Sequence, residues 1–365
     1  MADTKYPHLF ESLTLGSLEL PHRVLMAPLT RNRARADGVH NVELASTYYT
    51  QRAGAGLIVS EATEISPLAK GYIDVPGIYR DAHVDAWQKI TDSVHEAGGR
   101  IFCQLWHCGR ISHTSLLPEN QVPVSASAIR ADAQVFTRNG FEDCSQPRAL
   151  ETEEIPGVIA EYRHAAEMAK AAGFDGVEVH AANGYLLDQF LHQHTNNRND
   201  AYGGSPENRA RLAAEVVEAS AEVWGADRVG IRLSPTGKFS DMNPEGMEET
   251  VEALFKRINP MGLAYLHVVE KFPGLDVTEE EQATLDRLHD KWAGTYIANG
   301  DFDAQKAEEW IARGRADAVT FGRLFIANPD LPERFRRNAK LNEPNPDTFY
   351  GGGAEGYTDY PFLDE

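Results

Sequence analysis

The sequence predicts an α/β protein built as a single (β/α)8 barrel, a TIM barrel, over residues 1–365, and three observations support this prediction. Short apolar runs of the kind that form buried parallel strands alternate with amphipathic helical stretches along the chain. This strand-then-helix unit occurs eight times, the number that closes a parallel sheet into a barrel. No GxGxxG motif follows the first strand, which disfavours the competing open, doubly wound sheet.

The elements follow each other in a regular order. The predicted strands are 24–30, 57–65, 101–106, 176–180, 229–233, 265–269, 295–298 and 318–321. The predicted helices are 42–52, 82–97, 155–172, 206–224, 244–258, 279–291, 303–313 and 331–341. Ser205-Pro206 and Asn243-Pro244 each place a capping residue before a proline and so predict helix starts, whereas Gly98 and Gly173 predict helix ends.

One stretch breaks this regular order. Residues 107–150, between the third strand and its helix, are too many for an ordinary connecting loop. They contain "QVPVSASAI" and "QPRALETEEI", so we expect an excursion of strands, a hairpin, that lies over the mouth of the barrel. The chain shows no internal repeat, low-complexity tract or linker, which favours a single domain over residues 1–365.

The composition limits the possible partners. The 55 acidic and 35 basic residues give a formal charge of −20, which argues against a nucleic-acid or membrane partner. Cys103, Cys108 and Cys144 form no CxxC pair, so we expect neither a disulfide scaffold nor a zinc site. The N-terminal "MADTKYPHLFESL" lacks the layout of a signal peptide, and no apolar run is long enough to cross a bilayer. These features predict a cytoplasmic protein.

Polar and glycine residues collect at the carboxyl ends of the predicted strands, where barrels of this type build their sites. Gly300 and Gly322-Arg323, after the last two strands, lie where such barrels bind phosphate. Gln104 can both donate and accept hydrogen bonds, which suits the imide-like edge of a ring. Arg232 supplies a permanent cation for an anionic ring. Together these residues predict a phosphorylated aromatic cofactor.

The stretch "VEVHAANGYLLDQFL" places His180, Asn183 and Tyr185 within six positions at the end of a strand. Taken alone, the pattern is compatible with a capped turn as well as with an active site. His192 and His194 have no carboxylate or cysteine at ligand spacing, so packing or helix capping is the favoured interpretation for them and no metal is expected.

Several motifs together resemble the old yellow enzyme family. They are "MAPLTRNRA", "SEATEISPLAKGY", "QLWHCGR", "HAANGYLLDQFLHQHTNNRNDAYGGSPENR", "ANGDF", "FGRLFIANPDL" and "FYGGGAEGYTDYP". The likeness runs from about Phe10 to Pro361 and is strongest to the bacterial branch that contains pentaerythritol tetranitrate reductase, N-ethylmaleimide reductase and morphinone reductase.

The resemblance implies a barrel flavoprotein that holds FMN non-covalently. Such an enzyme takes hydride from NADPH or NADH and reduces the carbon–carbon double bond of α,β-unsaturated carbonyls, and often nitro compounds or nitrate esters. Its partners are therefore electrophilic alkenes and the nicotinamide. The sequence leaves open the choice between NADPH and NADH, and that between a monomer and a homodimer.

The resemblance also assigns residues. The flavin contacts fall on Pro28, Leu29, Thr30, Ala62, Gln104, Arg232, Gly300, Gly322 and Arg323. His180 and Asn183 are implied to bind the carbonyl oxygen of the substrate, and Tyr185 to deliver a proton to its α-carbon. The residues expected to line the substrate channel are Tyr72, Trp106, Phe272 and Tyr350.

Two other functions remain possible from the residues alone. The same barrel could support a Schiff-base lyase or aldolase with Lys271 as the nucleophile. It could also be a binding protein for a phosphorylated ligand without any turnover.

Overall fold

A computed structural model describes residues 4–272 and 274–363, and in them eight parallel strands close a barrel. The barrel strands are β1 (Val24–Met26), β2 (Ile58–Val59), β3 (Ile101–Trp106), β4 (Gly176–Ala181), β5 (Val229–Leu233), β6 (Tyr265–Val269), β7 (Tyr296–Asn299) and β8 (Ala318–Phe321). Each strand pairs with the next along the chain, and β8 pairs with β1. The predicted fold class is therefore confirmed.

Helices follow the strands and cover the outside of the barrel. They are α1 (Val42–Gln51), α2 (Asp81–Glu96), α3 (Ile155–Ala171), α4 (Pro206–Trp224), α5 (Met247–Ile258), α6 (Glu279–Lys291), α7 (Ala304–Ala312) and α8 (Leu331–Arg336). Two short helices, Leu186–Leu191 and Arg323–Ala327, follow β4 and β8 directly. None of the helices within the described residues is long and apolar enough to span a bilayer.

Some predicted boundaries are confirmed and others are wrong. The Ser205 hydroxyl accepts the Asn208 N–H at 3.3 Å, as expected for the cap of α4. The start predicted at Asn243-Pro244 is wrong, because Gly246, with a φ of 70°, stands before the first helical residue of α5. Strand β1 ends at Met26 rather than at residue 30, since Pro28 has no N–H to continue the ladder.

Two further boundaries differ from the prediction, and two helix ends agree with it. The strand predicted for 57–65 is interrupted: after β2, a separate piece, Thr63–Glu64, pairs with the end of β3. Helix α8 ends at Arg336 rather than at residue 341, and Asn338 there has a left-handed φ of 49°. Gly98 and Gly173 close α2 and α3 with φ values of 79° and 78°, as predicted.

The excursion between β3 and α3 contains a hairpin, but other residues form it. Its strands are Gln134–Thr137 and Gly140–Asp143, whereas the two motifs expected to supply it form only a short parallel pair, Val124–Ser125 with Arg148–Ala149. The Phe136 carbonyl accepts the Ile73 N–H at 3.4 Å. The hairpin therefore lies against the loop after β2, at the mouth of the barrel.

The opposite, amino-terminal end of the barrel is closed by a hairpin that the sequence analysis missed. Its strands, Leu13–Leu15 and Leu18–Leu20, are joined at Gly16, where a φ of 57° and the Asp227 carbonyl leave no room for a side chain. The hairpin buries its apolar side chains against the bottom layer of the barrel, in a cluster formed by Leu15, Leu20, Leu25, Leu57, Phe102, Ala264, Tyr265, Ile297 and Ala318.

Candidate active site

The carboxyl ends of β3 and β4 carry a cluster of aromatic side chains formed by four residues predicted for the site. The Tyr185 ring lies edge-on to Trp106 and His180, with centroid distances of 4.9 and 5.1 Å. Tyr72, from the loop after β2, stacks on Trp106 at 5.7 Å. The Tyr72 and Tyr185 hydroxyl oxygens are 3.2 Å apart. Four residues from three separate segments of the chain therefore lie in one cluster.

A tight turn at the end of β4 sets the positions of His180, Asn183 and Tyr185. Asn183 and Gly184 have φ values of 62° and 80°, and asparagine and glycine are the residues that best tolerate this left-handed backbone. The Asn183 N–H donates to the Ser234 hydroxyl at 2.8 Å, and the Gly184 N–H donates to the Asp188 carboxylate at 2.8 Å. Both partners bind main-chain groups, so the Asn183 side chain is left for another role.

Several buried polar atoms at this end of the barrel have no hydrogen-bond partner among the described residues. They are His180 Nδ1, Asn183 Oδ1, Trp106 Nε1 and Arg232 Nε. Leaving such a group without a partner costs about 1–3 kcal/mol each, and native proteins rarely accept this cost. These four atoms lie at the carboxyl ends of β3, β4 and β5, where a polar ligand would supply partners for them.

The environment keeps His180 and Tyr185 uncharged. Burial, assisted by the Arg232 guanidinium, lowers the pKa of His180 to about 3. Burial and the neighbouring Tyr72 raise the pKa of Tyr185 well above its ordinary value. At neutral pH the imidazole is therefore a neutral N–H donor, and the phenol retains its proton.

Arg232 supplies the positive charge of the site. It is 8% exposed and lies opposite His180 in the pairing of β4 with β5. Its Nη2 donates to Asn299 Oδ1 at 2.7 Å. Asn299 was not among the predicted site residues, although its position at the end of β7 is the kind of signal that identified the others.

Gln104 is fixed from within the barrel. Its Nε2 donates to Glu178 Oε1 at 2.7 Å, and its main-chain N–H donates to the Ser60 hydroxyl at 3.1 Å. The Glu178 carboxylate in turn contacts His267 Nδ1 at 2.8 Å. A fully buried polar chain therefore lies beneath the predicted ring-binding surface.

The ends of β7 and β8 form a different surface, which carries the residues predicted to bind phosphate. Gly300 lies against the Lys271 main chain, and a Cβ at this position would approach the Lys271 nitrogen to 3.1 Å. A Cβ at Gly322 would lie 3.3 Å from Leu29 Cδ2. The Arg323 side chain is 51% exposed and lies only loosely, at 3.8 Å, against Asp301. Bare backbone and a free guanidinium fit a phosphate group.

The loop after β1 connects these two surfaces. Pro28, Leu29 and Thr30 are half-buried there, and Ala62 is buried after β2, in one apolar cluster with Trp106 and Tyr185. The residues predicted to contact a flavin thus occur along one continuous rim of the barrel.

Tyr350 reaches the site from the C-terminal segment. It is 67% exposed, yet it lies near enough to Tyr72 and Tyr185 to contribute to their raised pKa values. Arg31 and Arg33 hold this segment by donating to the Phe349, Gly353 and Gly356 carbonyls at 2.8–3.3 Å. The sequence analysis did not identify this anchoring role of the two arginines.

Phe272 and Lys271 lie apart from the aromatic cluster. The Phe272 ring stacks on Phe239 at 5.8 Å, on the β5–β6 side of the mouth. The Lys271 side chain is 31% exposed, and its Nζ lies 3.6 Å from the exposed Asp276. A Schiff-base lysine is usually desolvated, so this solvated ion pair gives the lyase hypothesis no support.

The histidines after the turn have a structural environment. His192 Nδ1 donates to the Asn243 carbonyl at 2.8 Å, and its Nε2 lies 3.2 Å from Asp188. Within the part of the chain that the structure describes, no group of three or more metal-ligating side chains is found. Cys103, Cys108 and Cys144 are free and buried.

Comparison with known proteins gives matches over nearly the whole chain. A model of the NADH:flavin oxidoreductase / NADH oxidase family matches residues 8–342. The chain is 43% identical over 357 residues to 12-oxophytodienoate reductase 2 of Arabidopsis thaliana. The aligned region covers 96% of this chain and 94% of that protein.

Solved structures are similar to the same extent. Morphinone reductase in complex with tetrahydroNAD has a TM-score of 0.92 and 51% sequence identity, with 98% of each chain covered. The old yellow enzyme homologue from Zymomonas mobilis has a TM-score of 0.93 and 40% identity, with 98% of this chain and 100% of that chain covered. The chain therefore belongs to the NADH:flavin oxidoreductase / NADH oxidase family, the old yellow enzyme family, and is an oxidoreductase with FMN as its cofactor and a nicotinamide as its hydride donor.

Proposed function

We propose that this protein is an ene-reductase that uses NADPH or NADH to reduce the carbon–carbon double bond of α,β-unsaturated carbonyl compounds. Bound FMN would accept hydride from the nicotinamide and supply it to the β-carbon of the alkene. The observation that carries this proposal is the buried His180 Nδ1, which has no hydrogen-bond partner among the described residues, beside the Asn183 amide and a Tyr185 that keeps its proton.

His180 and Asn183 would bind the carbonyl oxygen of the substrate. Each can present an N–H donor, and neither changes charge near neutral pH. Hydride addition at the β-carbon places negative charge on this oxygen, so fixed donors stabilise the transition state more than the substrate. This difference lowers the barrier of the reductive step.

Tyr185 would deliver the proton to the α-carbon. Its raised pKa makes the phenol a weak acid that keeps its proton until a strongly basic enolate carbon forms. The Tyr72 hydroxyl, 3.2 Å away, can then hydrogen-bond to the phenolate while it regains a proton. Trp106 and Tyr72 would form the apolar wall that excludes water, and Tyr350 and Phe272 would border the entrance.

The rim of the barrel would hold the cofactor. Arg323, Gly300 and Gly322 would bind the phosphate, whereas Gln104 and Arg232 would face the ring. Thr30 would donate its hydroxyl to a ring carbonyl, with Pro28, Leu29 and Ala62 as its apolar neighbours. Arg232, which Asn299 holds in place, would balance the negative charge that the ring gains on reduction.

The named relatives support this choice of substrate class. Their names describe a reductase of 12-oxophytodienoate and a reductase of morphinone, and the second is known in complex with tetrahydroNAD. We include nitro compounds and nitrate esters as further substrates, because their oxygens could accept from the same two donors. We also propose that residues 1–365 act as one FMN-binding domain.

Two half-reactions test the proposal. Under anaerobic conditions, NADPH or NADH should bleach the visible flavin absorbance of the purified protein, and 2-cyclohexenone should restore it. The product, identified by mass spectrometry and NMR, should be cyclohexanone with the carbonyl intact. Bleaching without recovery would leave an NAD(P)H-oxidising flavoprotein and contradict the ene-reductase assignment.

A further inference from the structure

Glu178 is a fully buried carboxylate in the middle of strand β4, and the proposed reaction does not use it. It is 0% exposed and lies opposite Gln104 in the pairing of β4 with β3. On its other side its neighbour in β5 is Gly230, which has no side chain to fill the barrel at that level. Burying a carboxylate is expensive unless its oxygens are fully engaged.

Both oxygens of Glu178 are engaged, each by a different partner. Oε1 accepts from Gln104 Nε2 at 2.7 Å, and Oε2 lies 2.8 Å from His267 Nδ1. His267 Nε2 contacts the Thr320 hydroxyl at 2.8 Å, on the far side of the barrel. The chain Gln104–Glu178–His267–Thr320 thus crosses the barrel interior from β3 to β8.

The chemistry of the carboxylate determines how the Gln104 amide is oriented. An ionised carboxylate only accepts hydrogen bonds, so the amide must turn its NH₂ group toward Glu178. The Gln104 carbonyl oxygen then points away from Glu178. Without this constraint the two ends of the amide could exchange by rotation.

The same carboxylate balances the charge of Arg232. Burial alone would raise the pKa of Glu178, but His267 and Arg232 outweigh burial and keep this pKa below its ordinary value. Burial lowers the pKa of His267, so the imidazole is neutral and donates to the carboxylate. The barrel interior therefore contains one buried negative charge near one buried positive charge.

We propose that Glu178 is a positioning residue of the flavin site: it orients the Gln104 amide for the pyrimidine edge of the flavin and offsets the charge of Arg232, while His267 and Thr320 hold the carboxylate in place. This inference rests on the proposed flavin site, because it requires Gln104 and Arg232 to contact the ring.

The substitution Glu178→Gln tests the two effects by two measurements, since it preserves the shape of the side chain and removes its charge. The new amide can donate to Gln104 as well as accept from it, so the orientation of Gln104 is no longer fixed and the Kd for oxidised FMN should rise about tenfold. Loss of the negative charge leaves Arg232 unopposed, which favours the anionic reduced flavin. The midpoint potential of the bound flavin should therefore shift to a more positive value.

The experiment compares apoprotein variants after FMN removal, by fluorescence titration with FMN and by spectroelectrochemistry of the reloaded protein. Glu308→Gln is the matched control: this carboxylate is 8% exposed and accepts the Leu9 N–H at 3.0 Å, outside the Gln104 chain. It should leave both the Kd and the potential as in the unmodified protein. A merely structural role of Glu178 would weaken binding without raising the potential.

Gln104→Ala distinguishes failure of this inference from failure of the flavin site. If Gln104→Ala weakens FMN binding but Glu178→Gln changes neither quantity, the role of Glu178 is refuted and the flavin site stands. If Gln104→Ala binds FMN like the unmodified protein, the proposed flavin contact fails and the inference falls with it. Should Glu178→Gln not fold, Thr320→Val must raise the Kd measurably through His267, and an unchanged Kd would refute the inference.

Discussion

The two ends of this barrel are built from the same strands, but they differ in the side chains that line the interior. At the amino-terminal end, the hairpin Leu13–Leu20 covers an apolar layer that includes Leu25 and Phe102. At the carboxyl end, His180, Asn183 and Arg232 each have a buried polar atom without a hydrogen-bond partner among the described residues. The comparison separates residues that pack the fold together from residues that we propose to bind a ligand.

The difference also shows why the carboxyl end can carry chemistry. Its side chains are held by main-chain partners and by each other, as in the turn at Asn183 that Ser234 and Asp188 fix. Donors that are already in place do not need to reorganise when charge develops.

Substitution of the proton donor should have the largest effect. Tyr185→Phe should slow the reoxidation of the reduced flavin by 2-cyclohexenone about 10²- to 10⁴-fold, because the general acid is lost. Flavin reduction by the nicotinamide should stay close to normal, since it needs no proton from Tyr185. Stopped-flow measurement of each half-reaction tests this prediction, and an equal loss in both would contradict it.

Truncation of a buried side chain at the amino-terminal end of the barrel should affect stability alone. Leu20→Ala should lower the free energy of unfolding by about 2–5 kcal/mol, because it opens a cavity under a residue that is 1% exposed. The Kd for FMN at 25 °C should not change. Chemical denaturation and an FMN titration measure the two quantities, and Leu18→Ala, at a half-buried position, is the milder control. A large increase in the Kd would show that the two ends are not independent.

Removal of the side chain that is proposed to bind the phosphate should have a moderate effect on FMN binding. Arg323→Ala should raise the Kd for FMN about ten- to a hundredfold, the value of a hydrogen bond to a charged group. The same substitution should weaken the binding of riboflavin, which has no phosphate, much less. The exposed Arg313 at the end of α7 is the matched control. Equal Kd values for FMN in Arg313→Ala and Arg323→Ala would contradict the proposed role of Arg323.

The pH dependence should show the smallest effect. Since the pKa of His180 is lowered to about 3, its imidazole stays neutral from about pH 5 to about pH 9, and the reoxidation step should show no inflection from it. A histidine with an ordinary pKa would give an inflection near pH 6.5. An inflection there that disappears in His180→Asn would contradict the neutral-donor role.

The sequence was sufficient to predict the eight strands and the end of the barrel at which the candidate site residues collect, because strand ends in a barrel meet at one rim. Short elements whose sequence signal covers only a few residues were missed. The N-terminal hairpin is encoded by "TLGSLEL", two alternating apolar runs around a Gly-Ser turn, and could have been recognised from the turn chemistry. The start of α5 was wrong because Asn243 caps a turn rather than the helix.

Long-range partners could not be predicted from local pattern. Arg31 and Arg33 bind carbonyls more than 300 positions away in the chain, and nothing near them in sequence indicates this. Glu178 lies inside the apolar run "VEV", where a polar residue usually faces solvent. Only the closure of the barrel shows that its side chain points toward Gln104 and His267.

The most direct test of the central claim is the Kd of a simple phenol for the FMN-loaded enzyme, followed by the change in flavin absorbance. A phenolate oxygen resembles the enolate oxygen that His180 and Asn183 are proposed to hold. We predict that His180→Ala and Asn183→Ala each raise this Kd about tenfold or more, whereas Leu20→Ala leaves it unchanged. Equal Kd values for all four proteins would contradict the assignment of the His180 and Asn183 N–H groups to substrate oxygen.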